Sequence, residues 1–278
     1  MSKTPLVSII FVYYNTPREL IESLNSIKEA VRGYVCEVII INNNSSVRVP
    51  AKAIKTLVTR FISNKTNVGY GRALNQGAKM ARGKYLLLSN PDIIFQKGAI
   101  SLMIKKLEEN PAIGIIGPQF LDSKRRIRKV GADMPFLPQA IFPLSSLNNI
   151  FPRNIYSRRY YLNDFDGRKE MEVPVLCGAC MMISKFFFNK VKGFDERFFM
   201  YFEEADICYR VTKAGFKILY YPYSKVIHFV GRSSDDKKWI EKTFEKSRYE
   251  FFKKYHGWLI GTIGESIIRL LNLPAKLL

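Results

Sequence analysis

Carboxylates are the scarcer charge in this 278-residue chain, 24 Asp and Glu against 44 Lys and Arg, so their clustering is informative. Three fall within four positions, Glu203, Glu204 and Asp206, directly after the aromatic residues Phe198, Phe199, Tyr201 and Phe202. Such a cluster is costly unless water, a metal or a helix dipole compensates it. A carboxylate held among aromatic rings has a raised pKa and can act as a base. A solvated acidic first turn of a helix explains the same pattern equally well. Asp92 is the second candidate, in Asn90-Pro91-Asp92 just past an apolar run. Mg2+ and Mn2+ take oxygen ligands, often one or two carboxylates plus substrate phosphates, although Asn-Pro-Asp alone is ordinary turn chemistry. His228 is the third, ending Lys225-Val226-Ile227-His228. A neutral imidazole ligates metals, yet a lone histidine at a strand end is more often structural.

The elements that must carry these residues alternate. Residues 6–12 are apolar and β-branched, which reads as a buried strand. Thr16-Pro17-Arg18-Glu19 then has the form of a capping box opening a helix. Strands are expected over 38–41, 57–62, 85–88 and 113–116, with helices over 70–81 and 100–107. This alternation through 117 residues predicts an α/β domain with a mainly parallel sheet and helices on both faces. In such sheets ligands bind beyond the carboxyl ends of the strands, where the polar runs Asn42-Asn43-Asn44-Ser45-Ser46 and Ser89-Asn90-Pro91-Asp92 fall. From 120 to 172 the pattern breaks into a Pro-, Tyr-, Arg- and Asn-rich excursion. Order resumes over 173–183, followed by a helix over 203–214 and strands over 218–221 and 225–229.

Several other chemistries find little support. Cys177 and Cys180 have the spacing of half a zinc site, but no second pair or His-x-x-His accompanies them, and small buried hydrophobes are the simpler reading. Gly69-Tyr70-Gly71-Arg72 lacks the third glycine of a dinucleotide fingerprint and follows the third strand rather than the first. No Gly-Lys-Ser/Thr phosphate loop occurs. The net charge of +20 favours an anionic partner. The basic run 124–129 could grip nucleic acid, yet no recognised nucleic-acid motif accompanies it, and a grip on phosphates is more economical. With no signal peptide at its start, the chain is expected to be cytoplasmic with reduced thiols. Residues 258–278 carry Leu259, Ile263, Ile267, Leu270 and Leu271 on one helical stripe, after a lysine-rich segment. Peripheral contact with an anionic membrane and packing on the protein's own core are equally good readings.

Taken together and in order, these segments resemble family 2 of the inverting glycosyltransferases, and most nearly its rhamnosyltransferase-like branch. The resemblance covers residues 5–233. It rests on Val7-Ser8-Ile9-Ile10 to Asn15, Asn67-Val68-Gly69-Tyr70-Gly71 to Asn75 and Gly77, Asn90-Pro91-Asp92, and Gly178-Ala179-Cys180-Met181. The longest stretch is Gly193-Phe194-Asp195-Glu196-Arg197-Phe198-Phe199-Met200-Tyr201-Phe202-Glu203-Glu204-Ala205-Asp206, and Ile227-His228 follows it.

The resemblance implies a GT-A fold. Residues 1–117 would be the nucleotide-sugar half, 118–233 the acceptor-binding and catalytic half, and 234–278 a basic amphipathic tail. It implies a nucleotide-diphosphate sugar donor, dTDP- or UDP-linked with dTDP-rhamnose first, on Tyr13, Asn15, Asn42, Ser45, Gly69, Arg72, Asn75 and Asn90. Asn42 stands where the family has Asp, and Asn90 where its metal motif has a first acid. Mn2+ or Mg2+ would be held by Asp92 and His228. Glu204 would be the base, with Asp206 in reserve. Gly178, Asp195, Glu196 and Glu203 would face a glycan or lipid-linked acceptor at the inner face of the cell membrane. A non-catalytic sugar-nucleotide-binding protein and a basic nucleic-acid-binding protein are the rival readings; nucleic acid is not an expected partner.

Overall fold

The computed structural model describes residues 4–54, 58–128, 131–229 and 236–277, with side chains throughout except at 52, 53 and 274–277. The first half runs β1 (Val7–Tyr13), α1 (Pro17–Ala30), β2 (Cys36–Asn42), α2 (Ala51–Ile54), β3 (Arg60–Ser63), α3 (Tyr70–Met80), β4 (Tyr85–Ser89), β5 (Ile93–Phe95), α4 (Ala99–Glu109) and β6 (Ile113–Leu121). The second half runs β7 (Ile127–Arg128), β8 (Gly131–Ala132), α5 (Leu147–Ile150), α6 (Ile155–Tyr160), β9 (Met171–Glu172), β10 (Val175–Leu176), β11 (Cys180–Ser184), α7 (Lys185–Lys190), α8 (Glu203–Lys213), β12 (Lys217–His228) and α9 (Lys237–Leu277).

The main sheet has the order β3-β2-β1-β4-β11-β6-β12-β5. Its first four strands are parallel, as the βα alternation predicts. Beyond them β11 runs antiparallel to β4 and β6, and β5 antiparallel to β12. β12 returns parallel to β6, so the sheet is mainly parallel along this order with antiparallel members. Of the antiparallel members, β11 comes from the part of the chain where alternation is lost and β5 from a short run just after β4. The expected strands 218–221 and 225–229 are one strand, β12, with a register irregularity between Tyr221 and Lys225.

Both faces of the sheet are covered. Val7, Ile9 and Phe11 of β1 enter one core with α1 and α4, while Ile10 and Val12 enter the other with α3 and α8. A strand buried on both faces reads as a continuous apolar run, which explains residues 6–12. Thr16 precedes α1 but makes no capping hydrogen bond, so the expected capping box does not form.

The expected tail divides at Gly257, whose φ of 79° interrupts α9. The first arm packs on the domain: Phe251 and Phe252 are fully buried beside Phe198 and Phe202. The second arm folds back against the first, where a Cβ on Gly261 would lie 2.8 Å from the Lys253 amide nitrogen. The pairing of Arg248 with Glu265 (Nε to Oε2 2.8 Å, Nη2 to Oε1 2.9 Å) locks the two arms. Among the described residues no helix is long and apolar enough to cross a membrane.

Candidate active site

The β12–β5 pairing sets His228 opposite Ile93, immediately after Asp92. The two side chains thus meet, His228 Nε2 lying 3.4 Å from Asp92 Oδ2, both nearly buried. Asp92 Oδ1 is also buried and has no hydrogen-bond partner. A buried carboxylate oxygen without a donor is expensive unless a cation completes it. One oxygen and one imidazole nitrogen suit Mg2+ or Mn2+. Among the described residues no third His, Cys, Asp or Glu joins them.

Asp92 lines a cavity of about 330 Å3 at the carboxyl ends of β1, β2 and β4. Gly69 and Asn90 line it too. Gly69 has φ of 87°, and a Cβ there would come 2.4 Å from the Phe199 carbonyl oxygen. Only glycine lets the N-terminus of α3 meet that carbonyl, which accepts from Tyr70 N–H at 2.7 Å. The remaining expected donor residues build the loops under the cavity instead of lining it. The Tyr13 hydroxyl donates to Val47 O at 2.5 Å. Ser45 Oγ accepts from the Asn15 amide at 2.9 Å, and Asn42 Oδ1 accepts from the Ser45 amide at 2.9 Å. Arg72 pairs with Glu196 at 3.2 Å.

Other residues are at the cavity wall, among them Tyr14, Thr16, Asn43, Tyr70 and Trp239. Thr16 Oγ1 is a second buried oxygen without a partner in the same cavity. Asn43 is the knot beneath: its Oδ1 accepts from Val68 N at 3.0 Å and its Nδ2 donates to Asn67 Oδ1 at 2.7 Å. The Asn42-Asn43-Asn44 run marked this corner in the sequence but not which member turns inward. Trp239, from α9, had no local signal.

The acidic pair begins α8 after a contorted corner. Tyr201 and Phe202 both have positive φ, 73° and 68°, a conformation costing about 1–3 kcal/mol per residue. The first arm of α9 holds it: Phe202 packs against Phe244 and Phe251, and Ser247 Oγ donates to Met200 O at 2.8 Å. Burial lifts the Glu203 carboxyl well above the usual carboxylate range, and the Glu204 charge adds to it. Glu204 is also raised by burial, but hydrogen bonds from the backbone at 204 and 202 oppose the rise. Both carboxyls of the pair are thus raised, chiefly by burial. Glu204 opens on a smaller cavity of about 100 Å3 shared with Tyr160, Tyr201 and Phe244.

Glu204 and Asp92 thus line adjacent cavities rather than one. Tyr70 belongs to the wall between them: it lines the larger cavity and its hydroxyl donates to Gly178 O at 3.1 Å. Gly178 in turn packs on Glu204, whose Cβ would be 3.2 Å from a Cβ placed there. Burial first, then the charges of Glu204 and Asp92 among others, pushes the Cys177 thiol up to about 11, so both carboxylates act on that one residue.

Two expected roles need correction. Asp206 is fully buried and committed to Lys254, to the Tyr255 hydroxyl at 2.6 Å and to Arg210 Nε at 2.8 Å. A carboxylate so paired braces α8 against α9 and is no reserve base. Asn75 donates to Phe194 O at 3.0 Å and accepts from Phe194 N at 2.9 Å, stapling α3 to the 194 loop rather than reaching a donor. Asp195, bonded to Lys254 and Arg197, and Glu196, bonded to Arg72 and Asn75, belong to the same framework.

The mixed α/β sheet, with helices on both faces, is a fold of the GT-A type. The sequence matches Glycosyl transferase family 2 over residues 8–192, and the chain belongs to that family. It is 28% identical to an N-acetylglucosaminyl-diphospho-decaprenol L-rhamnosyltransferase of Mycobacterium tuberculosis, across 92% of this chain and 87% of that one. It is 27% identical to rhamnosyltransferase WbbL of Escherichia coli, across 61% and 62%. Two solved structures share the fold. A mannosyltransferase of Pyrobaculum calidifontis with GDP-Man and Mn2+ gives a TM-score of 0.61 at 13% identity, covering 99% of this chain and 76% of that one. GalNAc-T7 with UDP, GalNAc and Mn2+ gives 0.60 at 18%, covering 82% of this chain and 44% of that longer one.

Proposed function

We propose that this glycosyltransferase moves a sugar, with inversion, from a nucleotide-diphosphate donor to a hydroxyl of a lipid-linked or polysaccharide acceptor. The observation that carries the proposal is the pair of orphaned buried oxygens, Asp92 Oδ1 and Thr16 Oγ1, on two residues that line one cavity, near a buried acidic pair. The rhamnosyltransferase relatives favour dTDP-rhamnose as donor, with UDP-sugars the alternative. The decaprenol-linked substrate in the name of one relative favours a lipid-linked acceptor, met at the inner face of the membrane.

In this reading the donor occupies the larger cavity, on Thr16, Asn43, Gly69 and Asn90. Asp92 and His228 would hold Mn2+ or Mg2+, which when bound offsets negative charge on the diphosphate. The acceptor enters over Gly178. Glu204 removes its hydroxyl proton as the oxygen attacks the anomeric carbon from the face opposite the diphosphate. The bond to the diphosphate breaks as the new one forms, so the configuration inverts.

Calorimetry of nucleotide sugars with and without Mn2+ tests the donor side. Wild-type protein should bind dTDP-rhamnose more tightly with Mn2+, and Asp92→Ala should lose that gain. Equal affinity of the two proteins with Mn2+ present would overturn the metal assignment.

A further inference from the structure

We propose that the second arm of α9 and the 147–156 segment together form a docking surface for an anionic lipid bilayer. The arm is inverted relative to an ordinary surface helix. Its inward positions are Gly261, Gly264, Glu265 and Ile268, all buried. Its outward positions are Leu259, Ile260, Ile263, Ile267, Leu270 and Leu273, all exposed, Leu259 by 61% and Leu270 by 64%. These outward residues follow helical spacing and fall on one stripe. Trp258, 69% exposed, stands at its start. An apolar stripe of this length on a protein surface marks a partner.

A second, distant stretch of chain extends it. Ile150, Phe151, Ile155 and Tyr156 are exposed, Ile155 by 75%. Phe151 and Tyr156 both pack on the Phe142 ring. Ser146, one residue before α5, donates through its amide to Asn272 Oδ1 at 2.7 Å and through its hydroxyl to the same oxygen at 2.9 Å. At the other end a Cβ on Gly264 would lie 2.4 Å from Leu137 Cδ1. The 137–146 stretch therefore lies along the arm, and α5, which carries the second apolar set, starts one residue beyond it.

Charge selects the occupant. Residues 134–163 contain no Asp or Glu, and residues 251–278 contain only Glu265. Glu265 is buried between Arg248 and Arg269. Arg158 and Arg159 pair with Asp164 and Asp133 at the edges of the first segment, and Arg269 pairs with Glu265, so the outward charge of these segments is balanced or basic, with Arg153 exposed. A second copy of the chain would bring like charge against like charge, whereas phosphate-bearing lipid headgroups complement it. The arm does not span a bilayer, so it lies in the interface. The surface also has a route to the acidic pair: Ala132, Asp133 and Pro135 line the Glu204 cavity, and Leu137, two residues on, touches the arm. Delivery of a lipid-linked acceptor along this route rests on the transfer reaction proposed above; the docking itself does not.

Co-sedimentation of the full chain with phosphatidylglycerol–phosphatidylcholine vesicles, against phosphatidylcholine alone, tests the surface. Wild-type protein should bind the anionic vesicles and not the neutral ones. Ile263→Asp/Ile267→Asp and, separately, Phe151→Ser/Ile155→Ser should each weaken binding at least tenfold, and Arg153→Glu should weaken it less. Mn2+-dependent donor binding, measured on the same preparations, should be unchanged, which certifies folding. Absence of wild-type binding, or binding by both double variants equal to wild type, would overturn the proposal. So would a dimer in sedimentation velocity that the same substitutions dissociate. Transfer to a short water-soluble acceptor separates the two ideas, because it persists if only the docking surface is wrong.

Discussion

Glu203 shows how burial writes a pH dependence into the molecule. Its carboxyl is buried, one oxygen has no partner, and its pKa lies well above the usual carboxylate range. The folded-state pKa therefore exceeds the unfolded one. Below the unfolded pKa both states are protonated and no penalty exists. As pH rises through the folded pKa the unfolded state gains by ionising freely, and stability falls. Glu203→Gln removes that loss. The variant should match wild type in thermal melts near pH 4 and melt higher at pH 8. A constant difference across the range would mean that Glu203 does not carry the proton. Asp92 and His228, each unremarkable alone, were singled out by the resemblance, and strand pairing brings them together. Asp206 was misleading, because three carboxylates at one helix start look alike until Lys254 and Tyr255, distant in the chain, are seen to claim one of them.

At the scale of elements, the parallel half was readable and the antiparallel half was not. Residues 6–12, 38–41 and 85–88 are continuous apolar runs separated by helical stripes, a local pattern. β11 and β12 instead owe their places to non-local pairing, with β4 and β6, and nothing in their own spacing declares direction. The C-terminal helix was legible as amphipathic, but its division at Gly257 decides which arm packs and which is displayed. The Arg248–Glu265 pair secures that division at 2% and 4% side-chain exposure. Removing one partner leaves a buried charge uncompensated, so Arg248→Ala should destabilise the fold by about 3–5 kcal/mol in urea unfolding. The double variant Arg248→Met/Glu265→Leu should recover most of it, since Arg269 is already half exposed to solvent. A double variant no more stable than the single one would contradict this account of the hairpin.

For the whole molecule, the proposed reaction centre draws on segments far apart in the chain. The sheet brings Asp92 and His228 to one rim; the corner at 201–202, held by α9, brings Glu204 to the adjoining cavity; Tyr70 and Gly178 stand between. The net charge of +20 suits the proposed diphosphate donor and the proposed anionic docking surface. The most direct test is steady-state turnover of Glu204→Gln with dTDP-rhamnose, a lipid-linked acceptor and Mn2+, all saturating. The account predicts a fall in kcat on the order of 10²- to 10⁴-fold with donor affinity retained. Turnover close to wild type would remove Glu204 from the chemistry and the central claim with it.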